Sequence, residues 1–273
     1  MELGPKRIKT DRDYGREVRI LWIYNQAISE EFPELFKAFW DVYETWYHHE
    51  DRVKLGLSTF LFDKSLPLEE QHWQRERFGN YLYGSFISVY LSWESLESLK
   101  SSLQSKKDST VDAVQSKLSL INRINGVVRY LLTALDALSC CIYIAEGKIP
   151  SGLQQAQAEP KYLKKLTVKW VGQELGPSGA YGALASLLTR TEFAYLSEYR
   201  NLLTHRPFPQ FYQDSRGLYH FPDDLAKLDS ITQRNKAYMQ VDIAEYLTSA
   251  FKVIIEEFQA LLPELSARYR KQI

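Results

Sequence analysis

Several things are scarce in this chain of 273 residues, and each scarcity excludes a class of protein. There are two cysteines, Cys140 and Cys141, and they are neighbours inside an apolar helical run. That placement fits a pair of small buried hydrophobes and argues against a disulfide, a metal site or a redox pair. Neither charge is in excess, because 34 lysines and arginines meet 34 aspartates and glutamates. No basic field therefore advertises nucleic acid, and any RNA contact has to be local. No apolar run approaches the roughly 20 residues that span a bilayer, so no membrane partner is expected. The start, Met1 to Arg12, is charged with no apolar segment behind a basic one, and a cytoplasmic address is the expectation. Gly172, Gly176 and Gly179 are spaced wrongly for a P-loop or a dinucleotide fingerprint, and no cofactor is expected. His48-His49-Glu50-Asp51 resembles a metal cluster, but adjacent helical side chains point about 100° apart and chelate together poorly, so a solvated helix end is the better reading and no metal site is expected. No period of 20 to 50 residues repeats.

What is present is a core. Hydrophobic residues make up 45% of the chain, ample for burial, and their spacing is helical. Arg16 to Ser29 holds a short apolar cluster that is read as helix. Pro33 suits a first helical turn, and Leu35, Phe36, Phe39, Trp40, Tyr43 and then Trp46 or Tyr47 follow at three-four spacing. Pro67 to about Leu103 reads as one long helix, in which Gly79 and Gly84 allow close packing or a kink, and its serine-rich tail from Ser92 to Ser109 turns polar. The next helix runs from near Thr110 to Glu146, capped by Gly147, and its second half, Val127 to Ala145, is apolar nearly all round, as a central helix should be. Arg129 and Asp136 interrupt that run. A charge there needs a partner: Asp136 either faces the motif helix described below or pairs internally, and the internal pair is the expectation.

Lys161 to Trp170 is a short basic helix, with lysines at 161, 164, 165 and 169, and a candidate phosphate patch. Gly217 to Pro222 alternates as a strand does and allows one small hairpin before the last helix, with Ala237 to Val241 as its candidate partner. Asp242-Ile243-Ala244-Glu245 has the offset of a capping box and opens that helix, whose stripe includes Tyr246, Leu247, Ala250, Phe251, Ile254, Ile255 and Phe258. Pro263 is expected to end or bend it. The fold class is all-α, a helical bundle in a single domain spanning 1–273, with 1–105 as an N-terminal helical extension packed on a core from 106 to 273.

Polar chemistry gathers in one stretch, Glu198-Tyr199-Arg200-Asn201-Leu202-Leu203-Thr204-His205-Arg206-Pro207. A helix running from about Ser178 must stop near His205 or Arg206, because Pro207 pushes its predecessor out of helical geometry. On a helical wheel Phe193, Leu196, Tyr199, Leu202 and Leu203 make one apolar side. Asn201 and His205 stack four apart on the opposite side with Ser197 and Thr204, and Arg200 lies at the edge. Taken blandly, these are the solvated residues of an ordinary helix end.

Arg-Asn, three residues, then His near a helix end in an all-helical chain resembles the R-x4-6-H signature of HEPN (higher eukaryotes and prokaryotes nucleotide-binding) domains. In sequence the resemblance covers the motif. In pattern it extends from about Val111 to the C-terminus, and the first hundred residues lie outside it. It implies a metal-independent endoribonuclease of a toxin–antitoxin or phage-defence setting, with Arg200, Asn201 and His205 as catalytic residues and Arg206, Thr204 and Ser197 beside them touching RNA. It also implies a homodimer through the motif helix, and an antitoxin or other partner protein. The chemistry suits these residue types. Attack of a ribose 2′-hydroxyl on the adjacent phosphate calls for a proton carrier and a cation. Histidine, with an ordinary pKa of about 6.5, sits at a helix C-terminus that favours its protonated form. Arginine offers a planar fork to phosphate oxygens, and Asn201 can orient the ring or an oxygen. Two competing readings keep the same residues: a non-catalytic HEPN-like module that binds a nucleotide or a protein, and a helical scaffold in which the motif is chance.

Overall fold

The computed structural model describes residues 26–54, 68–105, 113–145, 212–215, 218–220 and 242–272, together with positions 182, 184, 187, 190, 193, 196, 197, 199 and 200. Four long helices dominate: α1 (Pro33–Lys54), α2 (Leu68–Ser105), α3 (Ala113–Ala145) and α4 (Ile243–Gln272). The fold is an all-α bundle. A helical turn at 26–31 leads almost directly into α1, since Phe32 N donates to Ile28 O at 2.7 Å and Phe36 N to Phe32 O at 2.9 Å. Pro33, lacking an N–H, marks the junction at α1's first turn.

The apolar spacing puts side chains inside where it should. Leu35, Phe36, Phe39 and Val42 of α1 are buried, as are Phe78, Leu82, Phe86 and Val89 of α2, and on α3 most residues from Val127 to Ala145, with every one from Leu138 on, Cys140 and Cys141 among them. All four helices and the buried positions Leu184, Leu187, Phe193, Leu196 and Tyr199 join one hydrophobic cluster. By length and composition residues 117–145 of α3 could also cross a membrane, although the chain's raw hydrophobic runs are short; 78% of the most apolar window is buried in the bundle. Burial also pushes both thiols well above their ordinary range, so they stay protonated.

Helices α2 and α3 pack antiparallel and very close. Cys141 Sγ approaches Phe78 O at 3.6 Å, Ser85 Oγ donates to Ala134 O at 3.0 Å, and Ser92 Oγ donates to Val127 O at 3.2 Å. These contacts recur every seven residues on both helices, the repeat that keeps one seam facing its partner. Gly126 continues the seam, where a Cβ would lie 2.8 Å from Ser95 Oγ. Of the two glycines of α2, Gly79 serves close packing, since a Cβ there would overlap the Trp46 ring, whereas Gly84 faces open space. Ser85, Ser88 and Ser92 are buried, so the polar tail begins inside the bundle at Ser92.

Helix α4 opens as its sequence suggests, with Asp242 Oδ1 accepting from Ala244 N at 2.9 Å and Glu245 N at 3.4 Å. It does not end or kink to a stop at Pro263. The helix runs through to Gln272. Leu261 and Leu262 before the proline, and Leu265 and Tyr269 after it, are all buried, and Tyr269 stacks on Phe78 at 4.6 Å. Packing on both sides of the proline outweighs its lost hydrogen bond.

A two-residue antiparallel pair precedes α4. Tyr212–Gln213 pairs with Tyr219–His220 in the register Tyr212↔His220 and Gln213↔Tyr219. The strand at Tyr219 was expected, but its partner lies upstream of it, and Ala237 to Val241 lies outside the described residues. Asp214 closes the turn. Its N–H donates to Leu218 O at 3.0 Å, its Oδ1 accepts from Leu218 N at 3.0 Å, and its Oδ2 lies 3.2 Å from His220 Nε2.

Candidate functional site

The segment before Arg200 is helical at 182, 184 and 187, and again at 193, 196, 197, 199 and 200, but it is not the single uninterrupted helix its sequence suggests. The backbone bends at Arg190. Arg190 N bonds Leu187 O at 3.1 Å and Phe193 N bonds Arg190 O at 3.0 Å, both three-residue turns. The Arg190 side chain reaches Glu257 of α4 at 3.3 Å, which ties the bend to the bundle. The helical positions from Phe193 to Arg200 are called the motif helix below.

Phe193, Leu196 and Tyr199 are buried, so the apolar side of the motif helix lies where the wheel places it. Tyr199 is anchored as well as packed: its hydroxyl donates to Asn125 Oδ1 on α3 at 2.7 Å. Burial pushes its pKa far up, against a smaller opposing pull from the charge of Arg129, so the hydroxyl remains a donor at any physiological pH.

Arg200 is half-buried at the edge of the apolar side, and its Nη1 donates to Asp136 Oδ2 at 2.9 Å. The pair is 33% and 23% exposed at its two side chains. This corrects the expectation that Asp136 pairs internally. The carboxylate faces the motif helix and holds the motif arginine, an opposite charge that offsets the cost of half-burying it. Asn125, Arg129 and Asp136 recur at four and seven along α3. A polar stripe at helical spacing on an otherwise apolar helix was the signal that pointed toward the motif helix, and Asn125 went unnoticed in it.

Of the sequence-predicted site residues, Arg200 and Ser197 are placed, with Ser197 half-buried on the motif helix. Asn201, Thr204, His205 and Arg206 lie outside the described residues, as does the basic stretch from Lys161 to Trp170. Histidines elsewhere have other settings: His48 is exposed near the end of α1, and His220 is buried in the hairpin beside Asp214. Among the described residues no three of His, Cys, Asp and Glu converge on a point that could hold a metal ion.

Beside the motif helix, on the next face of α3, an open polar groove of about 430 Å³ runs between α2 and α3. Comparisons with protein-family models, with curated proteins and with solved structures find no match to this chain.

Proposed function

We propose that the protein is a metal-independent endoribonuclease of HEPN type, in which Arg200, Asn201 and His205 act on the phosphate and the 2′-hydroxyl of RNA. The observation that carries this reading is the Asp136–Arg200 pair at 2.9 Å, with the arginine and aspartate side chains 33% and 23% exposed to solvent. A carboxylate that grips Nη1 fixes the direction of the planar guanidinium, and the third of the side chain that remains in solvent is the part a phosphate would meet. The Tyr199–Asn125 bond one residue earlier fixes the same turn against α3. Arg200 stabilises the charge that builds on the phosphorane, His205 moves the proton, and Asn201 orients one or the other. Ser197, Thr204 and Arg206 contact the RNA strand beside them.

One copy supplies one motif histidine, whereas transesterification needs a base for the 2′-hydroxyl and an acid for the leaving 5′-oxygen. A two-fold contact between motif helices brings two copies of each group to one cleft, and the proposed working unit is therefore a homodimer. A toxin–antitoxin or phage-defence setting, with an antitoxin as partner, belongs to the same proposal.

The same ion pair favours a second reading. Arg200 neutralised by Asp136 and Tyr199 tied to Asn125 are also what a helix needs simply to dock, and a non-catalytic module binding a nucleotide or a protein would keep them. The experiment that separates the two is cleavage of mixed RNA in excess chelator by wild type, His205→Ala and Arg200→Ala, with a melting curve for each. The catalytic reading expects cleavage by wild type, near-complete loss in both variants and little change in Tm. Intact cleavage in both variants, or a collapse of Tm with Arg200→Ala alone, would move the assignment to the binding module. Light scattering tests the dimer: a strict monomer that still cleaves would refute the shared cleft.

A further inference from the structure

The groove between α2 and α3 is lined by Glu94, Ser95 and Ser98 on one helix and by Asn122, Arg123 and Tyr130 on the other. It runs along the solvent side of the close seam: Gly126 lets Ser95 approach the α3 backbone, Tyr130 stands one turn further along α3, and the polar side chains flank the buried contact of the two helices. Its volume falls within the roughly 300–1,000 Å³ usual for small-ligand pockets.

The lining narrows the ligand. Glu94 accepts hydrogen bonds and cannot donate them, Arg123 donates and cannot accept, and Asn122 does both. Among the described residues Arg123 has no hydrogen-bond or ion-pair partner, and neither does the Glu94 carboxylate. A free phosphate would be repelled by Glu94, a cation by Arg123, and an apolar ligand would engage neither charge. What satisfies all of them is a flat ring with donors on one edge and acceptors on another, with Tyr130 supplying an aromatic surface. The serine hydroxyls suit a ribose, which both donates and accepts.

The position is equally specific. Asn122, Gly126 and Tyr130 repeat at four along the groove side of α3, and Asn125 and Arg129 occupy the same turns on the side facing the motif helix, where Asn125 binds Tyr199. A helix with its side chains is about 10 Å across, so one strand of RNA can reach from the groove to Arg200 over a few nucleotides.

We infer that the groove is a nucleobase subsite, taking one unpaired base with an exocyclic amino group, adenine, cytosine or guanine in preference to uracil, from the RNA strand engaged by the motif helix. The preference follows from Glu94, which needs an N–H donor; uracil offers one N–H, flanked by two carbonyl oxygens that would face the carboxylate. This inference rests on the reading of the motif helix as an RNA site.

The test is fluorescence anisotropy in chelator with 5′-labelled hexa-adenylate and hexa-uridylate, on full-length protein carrying His205→Ala so that the oligomers stay intact. The expected result is a roughly tenfold preference for hexa-adenylate, the low end of what one well-made base contact provides. Glu94→Gln, which can donate to a uracil carbonyl, should bring the ratio close to one, and Arg123→Ala should weaken both oligomers. Equal binding of the two oligomers, or a ratio indifferent to Glu94→Gln, overturns the subsite. Cleavage of mixed RNA by wild type is measured beside it: cleavage without base preference refutes the subsite alone, and base preference without cleavage refutes the catalytic reading alone.

Discussion

Two helix interfaces in this bundle are built on opposite plans. Between α2 and α3 the contacts are small: serine hydroxyls and a thiol reach carbonyls of the facing helix every seven residues, and Gly126 admits Ser95. Between α1 and α4 the contacts are rings, with Phe39 against Phe258 at 6.0 Å, and Arg270 reaching Thr45 at 3.3 Å on the rim. Just ahead of α1, Phe32 meets Phe251 at 5.6 Å. Rings supply stability through the large area each of them buries. Small residues supply proximity, which fixes the relative height of two helices and leaves a shallow groove along their solvent side. The candidate groove runs alongside the small-residue seam, and Asn125 and Asp136, which hold the motif helix, stand on the helix that the seam positions.

That contrast can be broken by mutation. The largest effect is expected at the aromatic interface: Phe39→Ala removes a ring that also packs on Phe86 at 4.9 Å, and a loss of about 3–5 kcal/mol in denaturant unfolding is expected. Next comes the seam. Ser92→Leu should overpack it at a cost of roughly 1–3 kcal/mol, while Ser92→Ala, which fits and forfeits one hydrogen bond, should cost about 1 kcal/mol. If Ser92→Leu were as stable as wild type, the seam would be no tighter than the aromatic face and the comparison would fail. The smallest loss of stability is expected from Asp136→Asn, about 1 kcal/mol, because both partners of its pair are partly in water. Its effect on RNA cleavage should be far larger than its effect on Tm, since the arginine loses the group that aims it; equal and small effects on both would assign the pair to docking.

The sequence made the aromatic plan legible and concealed the other. Rings at three-four spacing on α1 and α4 identify their buried faces without ambiguity, and so does the continuous apolar run of α3. Serine carries no such label. Ser85 falls on the apolar stripe of its helix and Ser92 opens the polar tail, but nothing in a single helix reveals that a partner backbone will come close enough to accept their hydroxyls. The continuation of α4 past Pro263 and the bend at Arg190 were hidden for a related reason: burial on both sides keeps the helix going through the proline, and the bend at Arg190 is tied to Glu257, far away in sequence. The apolar side of the motif helix and the edge position of Arg200 were readable from the wheel, whereas its partner Asp136 became evident only with α3 and the motif helix set side by side.

The most direct measurement is the chemistry of the product ends after incubation of purified protein with RNA in excess chelator. Attack by the 2′-hydroxyl, with Arg200 and His205 in the roles assigned above, predicts fragments ending in 2′,3′-cyclic phosphate and beginning with 5′-hydroxyl, absent when His205→Ala replaces wild type. Intact RNA, or fragments bearing 3′-hydroxyl and 5′-phosphate ends, would contradict the account.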